Sequence, residues 1–237
     1  MIELKNINGG YGKKQVLFDI NTIMHENEIT SIIGPNGCGK STLLEISSGL
    51  MKPYEGVVVA DGVNIHEMNA KDRAKKISVL SQQKNPGALT VRALVYHGRF
   101  PYLGYPRKYR DEDRKIVDEA MRTAGIYDLA DESLSELSGG QQQKAYIAML
   151  LAQNTDIVFL DEPVTFLDIN YQLELMEIIK ELKNNGKTVI MVIHDINLAM
   201  SYSDKIIVMK NGRIVFDGKP KKMCESNVLE NIFGIKA

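Results

Sequence analysis

Four short stretches of this chain place reactive or phosphate-binding residues at the ends of apolar runs. The first is "GPNGCGKST", Gly34 to Thr42, which fits the spacing G-x-x-x-x-G-K-[ST]. Before it stands the strand-like "EITSII" and after it the helical "KSTLLEISSGL". Such a loop curls until its backbone N–H groups converge on phosphate oxygens, and the helix start adds its positive end. Gly34, Pro35, Asn36, Gly37, Cys38 and Gly39 form the loop, and Thr42 extends the cradle. Lys40 is placed to reach the β- and γ-phosphates, and the Ser41 hydroxyl to ligate Mg²⁺. Cys38 reads as a small loop residue or, less simply, as a redox switch; a single thiol without a neighbour makes no metal site.

The second stretch, "DIVFLDEP", ends an apolar strand on Asp161 and Glu162. In an open parallel sheet, ligands gather beyond the carboxyl ends of the strands. Asp161 is expected to hold Mg²⁺ through water, and Glu162 to polarise the attacking water as general base. The third, "TVIMVIHD", brings His194 to the same edge, where it can donate to a phosphate oxygen as charge builds. Gln82 follows another strand-like run, "SVLS", and can hold Mg²⁺ or the water; Gln83 adjoins it and leaves that choice open. Tyr11, in "GGYGKK", can stack its ring on adenine. His25, His66 and His97 read as surface residues.

The fourth stretch, "SELSGGQQQKAYIAMLLA", sets two glycines between a serine and a helical run. Ser138, Gly139, Gly140 and Gln141 make a second phosphate grip, about a hundred residues after the first. One chain with two such helix starts raises the question of what the second one holds.

These residues need strands and helices in alternation to bring them together. The run "EITSII", then "DIVFLDEP", the helix "YQLELMEIIKELKNNG" and "TVIMVIHD" imply a parallel sheet with right-handed crossovers. Hairpins are expected at Asp61-Gly62 and Asn211-Gly212. Between about 85 and 150 the pattern turns helical, with "RDEDRKIVDEAMRTAGI" amphipathic and ended near Gly125. The fold class is therefore α/β. Lysine plus arginine number 29 against 30 acidic residues among 237, so no global basic field recruits nucleic acid. No stretch of eighteen apolar residues and no leader-like start is present, and two cysteines make no disulfide framework; the expected compartment is the cytosol.

"LSGGQ" (Leu137–Gln141), with "GPNGCGKST" before it and "DEPVTFLD" and "IHD" after, resembles the ATP-binding cassette family along essentially the whole chain. The resemblance implies a P-loop nucleotide-binding α/β core with an antiparallel β subdomain (about 1–85 and 151–237 together) and an inserted helical subdomain (86–150). It implies ATP and Mg²⁺ as ligands. It also implies a head-to-tail homodimer in which LSGGQ faces the nucleotide of the opposite subunit, with the helix beginning near Gln141. Thr165 to Asp168 would then link the two sites. Val164 and Gln142 depart from the usual residues there and leave the strength of coupling open.

A narrower similarity lies in "VRALVYHGRFPYLG", "TFLDINYQLELMEIIKEL" and "VIHDINLAMSYSDKIIVMKNGRIVFDGKP". These stretches look like the ATPase subunits of iron–siderophore, haem and cobalamin importers. Such a subunit works at the cytoplasmic face of the membrane, bound to two polytopic permease subunits and served indirectly by an extracytoplasmic binding protein. "GRFPYL" is expected to be exposed as the permease-docking surface, with a place in the core of the helical subdomain as the alternative. The alternatives are a soluble ATPase of the same superfamily, not coupled to transport, and an importer subunit for another cargo such as an oxyanion or free metal. The long coiled-coil insertion of the DNA-repair relatives and the second cassette of the translation relatives are both missing from this sequence.

Overall fold

The computed structural model describes residues 1–81, 88–165 and 167–234. The chain opens with β1 (Ile2–Tyr11), β2 (Lys14–Met24) and β3 (Ile29–Ile33), followed by α1 (Lys40–Ser47). Next come β4 (Glu55–Ala60), β5 (Val63–Asn64), α2 (Ala70–Lys76) and β6 (Ile77–Leu80). A helical stretch supplies α3 (Val91–His97), α4 (Asp111–Thr123) and α5 (Gly139–Gln153). Strands and helices then alternate: β7 (Ile157–Asp161), α6 (Ile169–Asn184), β8 (Thr188–Val192), α7 (Ile196–Tyr202) and β9 (Lys205–Lys210). The described chain ends with β10 (Arg213–Gly218), α8 (Pro220–Cys224) and α9 (Val228–Phe233).

Two sheets form. One is antiparallel, in the order β2-β1-β4-β5; the other has six strands in the order β10-β9-β3-β8-β7-β6. Within the second sheet β9, β3, β8, β7 and β6 run parallel, and β10 adds an antiparallel edge. Every residue of β3, β7 and β8 is buried, as expected for strands covered on both faces. Successive side chains point to opposite sides. Phe159, Ile190 and Val192 pack with α1 and the antiparallel sheet, whereas Val158, Leu160, Val189 and Met191 pack with α5 and α6. Helix α1 thus lies between the sheets, with Leu43, Leu44 and Ile46 in that core. Both expected hairpins are present: Asp61-Gly62 and Asn211-Gly212 have φ of 48° and 80°, and of 50° and 74°. These angles are those the tight two-residue turn requires.

A buried ion pair fastens the helical stretch. Arg99 Nε donates to Asp113 Oδ1 at 2.9 Å, and its Nη1 donates to the Ala152 carbonyl at 2.8 Å. The guanidinium also lies 4.0 Å from the centre of the Tyr102 ring, and Tyr102 donates its hydroxyl to the Gln153 carbonyl at 2.8 Å. Burial opposes ionisation of Asp113, but the Arg110 N–H and the Arg99 guanidinium outweigh it and hold the carboxyl below its usual range. The expectation that "GRFPYL" is exposed therefore needs correction. Phe100 is exposed, but Arg99 and Leu103 are buried and Tyr102 is half-buried. The reason is that the segment's charge and hydroxyl have partners inside.

The histidines also differ from expectation. His25 is exposed, whereas His66 and His97 are half-buried, His97 packing 4.6 Å from the Phe100 ring. Loss of water pushes the His66 imidazole below its usual pKa.

Arg99→Ala leaves the Asp113 carboxylate buried without its countercharge, a loss of about 3 kcal/mol. For a chain of this size that lowers Tm by about 10 °C in a calorimetric melt. Nucleotide affinity of the folded protein is expected to stay unchanged, because none of these groups lines the phosphate loop.

Candidate functional site

The loop between β3 and α1 has an exposed crest, Pro35 to Gly37, and buried flanks, with Gly34 on one side and Cys38 to Lys40 on the other. Two tethers shape it. Cys38 N–H donates to the Pro35 carbonyl, and the N–H of Gly212, in the β9–β10 hairpin, donates to the Cys38 carbonyl at 3.0 Å. Gly37 and Gly39 have φ of 75° and 104°, which only glycine adopts without strain. A Cβ on Gly39 would also stand 2.9 Å from Leu17 Cδ2. Cys38 belongs to the apolar core, and burial pushes its thiol above the usual range, the opposite of what a reactive thiolate needs.

Lys40 is buried, and its ammonium donates to the carbonyls of Gly34 (2.9 Å) and Pro35 (3.1 Å). An ammonium has three donors, so these two bonds aim it along the loop and leave one for a phosphate oxygen. Ser41 Oγ donates to Asp161 Oδ1 at 3.2 Å. Burial pushes the Asp161 carboxyl up, the Ser41 hydrogen bond acts against that, and the nearby Glu162 charge adds to it. A hydroxyl and a carboxylate side by side are the hard oxygen donors that Mg²⁺ prefers. Among the described residues no group of three or more His, Cys, Asp or Glu could hold a metal ion. A metal here would depend on Ser41, Asp161, water and substrate phosphates, which fits Mg²⁺.

Strand pairing delivers the catalytic candidates to one edge. In the β7–β8 register Asp161 lies opposite Val192, so both strands end at the same level. Glu162 N–H donates to the Val192 carbonyl at 3.1 Å, with the Glu162 backbone at φ 52°. Among the described residues every other non-glycine residue with positive φ is Asn or Asp, whose short polar side chains ease that conformation. Glu162 has no such relief, and a backbone held there against its preference costs on the order of 1–3 kcal/mol. The result is a carboxylate lifted clear of the strand: Oε1 accepts from His194 Nε2 at 2.5 Å and Oε2 from Thr165 Oγ1 at 3.3 Å. Glu162 is 12% exposed at its side chain and His194 41%, so the histidine faces the cleft mouth.

These groups surround an open cleft of about 510 Å³ lined by Tyr11, Asn36, Gly37, Gly39, Lys40, Ser41, Thr42, Glu162 and His194. Tyr11 is half exposed and donates its hydroxyl to Glu45 Oε2 at 2.9 Å, so α1 sets where its ring stands. Two lining residues were missed in the sequence, Lys14 and Val16 on the return strand of the first hairpin. Their only signal is proximity to Tyr11 across a two-residue turn. Gln82 lies outside the described residues.

The second grip is formed as a capped helix. Ser138 Oγ accepts from Gln141 N–H at 3.3 Å, and Gln141 Oε1 accepts from Ser138 N–H at 3.0 Å. This reciprocal pair starts α5 at Gly139, two residues before the expected point, because both partners of a capping box are present. A Cβ on Gly139 would meet nothing within 4 Å, whereas one on Gly140 would touch the Tyr171 ring at 3.4 Å. Gln142 donates to the carbonyls of Leu134 and Leu137. Among the described residues, none of Ser138 to Gln141 lines the cleft at Lys40.

A glycine loop on a parallel sheet, a carboxylate pair and a separate capped "LSGGQ" helix define a nucleotide-binding cassette. Residues 17–165 match the ABC transporter family. The chain is 45% identical to the petrobactin import ATP-binding protein YclP of Bacillus subtilis (strain 168), over 98% of this chain and 92% of that protein. It is 44% identical to the ferric enterobactin transport ATP-binding protein FepC of Escherichia coli (strain K12), over 96% of this chain and 84% of that one. Among solved structures it superposes on a dimeric post-hydrolysis state of the ATP-binding cassette MJ0796 bound to ADP and Pi. That TM-score is 0.82, at 33% identity, over 93% of this chain and 99% of the other. The chain belongs to the ABC transporter family and is an ATP-binding, ATP-hydrolysing member of it.

Gly39→Ala tests the cradle. The substitution adds strain at φ 104° and a contact with Leu17, so the loop must shift and its N–H groups lose their convergence. ATP affinity is expected to fall about tenfold or more by titration calorimetry, with the fold retained.

Proposed function

We propose that this chain is the ATPase subunit of an importer for a ferric-siderophore type of chelate, and that two copies close head-to-tail on two ATP molecules. The observation that carries the dimer is the separation of the two grips: Ser138 and Gly139 form a finished helix start away from the cleft they would serve. A second chain supplies the missing half of each site. The cargo class rests on the relatives, whose names refer to petrobactin and enterobactin. No helix among the described residues is long and apolar enough to cross a membrane. Attachment at the cytoplasmic face therefore falls to two permease subunits, and exposed Phe100 is the part of "GRFPYL" left to meet them.

Within each site the loop N–H groups and Lys40 bind the phosphates, and Ser41 with Asp161 would hold Mg²⁺. When bound, the metal would supply positive charge against that of the phosphates. Glu162 accepts the proton of the attacking water, and the strained backbone with the His194 contact fixes where that carboxylate stands. His194 lies close enough to Glu162 to orient it, and its exposure lets it turn to a phosphate oxygen. Tyr11 stacks on the base, and Gln82 holds the metal or the water.

Glu162→Gln removes the base and keeps the shape. Turnover is expected to fall at least a hundredfold in a phosphate-release assay, with ATP affinity within twofold of wild type. The stalled protein should elute as an ATP-bound dimer on a sizing column. Wild-type turnover in this variant would remove Glu162 from the role.

A further inference from the structure

The start of α5 is bonded to the loop that carries Glu162 in the same chain. Gln143 Nε2 donates to the Pro163 carbonyl at 2.6 Å. Pro163 is buried, and a buried carbonyl needs a donor. The peptide thus held is Pro163–Val164, one peptide beyond Glu162, whose own backbone sits at φ 52°. Along α5, Gln143 lies five residues beyond Ser138, about 7.5 Å of helix. The same turns grip α6. Gly140 packs on the Tyr171 ring, and Lys144 lies 4.8 Å from that ring's centre while its Nζ meets Glu174 Oε1 at 2.8 Å. Between these contacts α5 and α6 line a small apolar pocket with Ile147, Leu167, Leu175 and Ile178.

We infer that Gln143 is a positioning residue that couples the two nucleotide sites. Its carboxamide ties the helix end that closes on the partner's ATP to the peptide that sets Glu162 over this chain's own ATP. The inference rests on the shared-site reading above. When Ser138 and Gly139 meet phosphate, α5 is held in place, and the hydrogen bond to Pro163 holds Glu162 in its raised conformation. Without that bond the loop after Glu162 loses its tie to α5 and the raised carboxylate is held less firmly, although the Glu162 N–H still donates to the Val192 carbonyl; the base loses aim while the phosphate loop is untouched. Lys40, Ser41 and Asp161 make no contact with Gln143 among the described residues, so binding and turnover separate.

The test uses the purified full chain, with ATP hydrolysis measured against ATP concentration. Gln143→Glu keeps the shape but removes the donor; Gln143→Lys keeps a donor. In Gln143→Glu the expected kcat is lower by about fivefold to tenfold, with KM within twofold and the Hill coefficient reduced toward one. Gln143→Lys is expected to retain kcat within twofold and wild-type cooperativity. Gln143→Met, apolar and close in volume, gives the Gln143→Glu result should that variant fold poorly. Wild-type kcat in both donor-free variants overturns the inference, as does a rise in KM alone, an equal loss in Gln143→Lys, or a wild-type Hill coefficient of one. Glu162→Gln run in parallel separates the two claims. Undiminished turnover there defeats the reading of the site itself, whereas a stalled Glu162→Gln beside a normal Gln143→Glu defeats this inference alone.

Discussion

The parallel pairing of β3, β8 and β7 is the constraint on which the rest depends. Burial on both faces makes these strands continuous apolar runs, and their pairing brings their carboxyl ends to one level. The glycine loop after β3, Asp161 and Glu162 at the end of β7 and His194 after β8 all stand at that level. A one-residue slip of β7 against β8 would turn Phe159 toward the wrong core and carry Asp161 away from Ser41. The same sheet sets the chemistry of the acids. Asp161 ends the strand and is buried beside a hydroxyl, whereas Glu162 leaves it at φ 52° and points into the cleft.

Much of this was legible in the sequence, for identifiable reasons. The parallel sheet and both Asn-Gly and Asp-Gly hairpins follow from apolar runs with sharp turn residues, which are strong local signals. The cleft residues Asn36, Gly37 and Gly39 to Thr42, with Glu162 and His194, come together because each follows a run whose strand pairs with the next. Other features were not legible because they depend on contacts between distant segments. Arg99 reads as an exposed charge until Asp113, Ala152 and Tyr102 are seen around it. Helix α2 has no buried residue and so no apolar stripe to announce it. Gln143 sits in a polar run, "QQQK", in which nothing distinguishes one glutamine from the next. Only folding separates their tasks: Gln141 caps, Gln142 closes the preceding turn and Gln143 reaches Pro163.

The presence of two phosphate grips in one chain follows from geometry. A helix start capped as tightly as that at Ser138 is stable without a ligand, so it can wait in solvent for a phosphate presented from outside. The glycine at 139 keeps the approach open, and the cation and seam contacts behind it keep the helix end rigid. In the proposed dimer a site split in this way would make hydrolysis conditional on closure, because each chain would bring its phosphate loop to one nucleotide and its signature to the other.

The shared site is the central claim, and counting nucleotides in mixed dimers tests it most directly. All chains carry Glu162→Gln to stop turnover; one set also carries Lys40→Ala, and the other Gly139→Asp, which places bulk and negative charge where the γ-phosphate must approach. In a mixed dimer with shared sites, one site collects both defects and the other is intact. The account predicts one occluded nucleotide per mixed dimer and none in either mutant alone. A count in verified mixed dimers no higher than in the separate mutants would contradict it, because each chain would then be serving its own ATP with both grips.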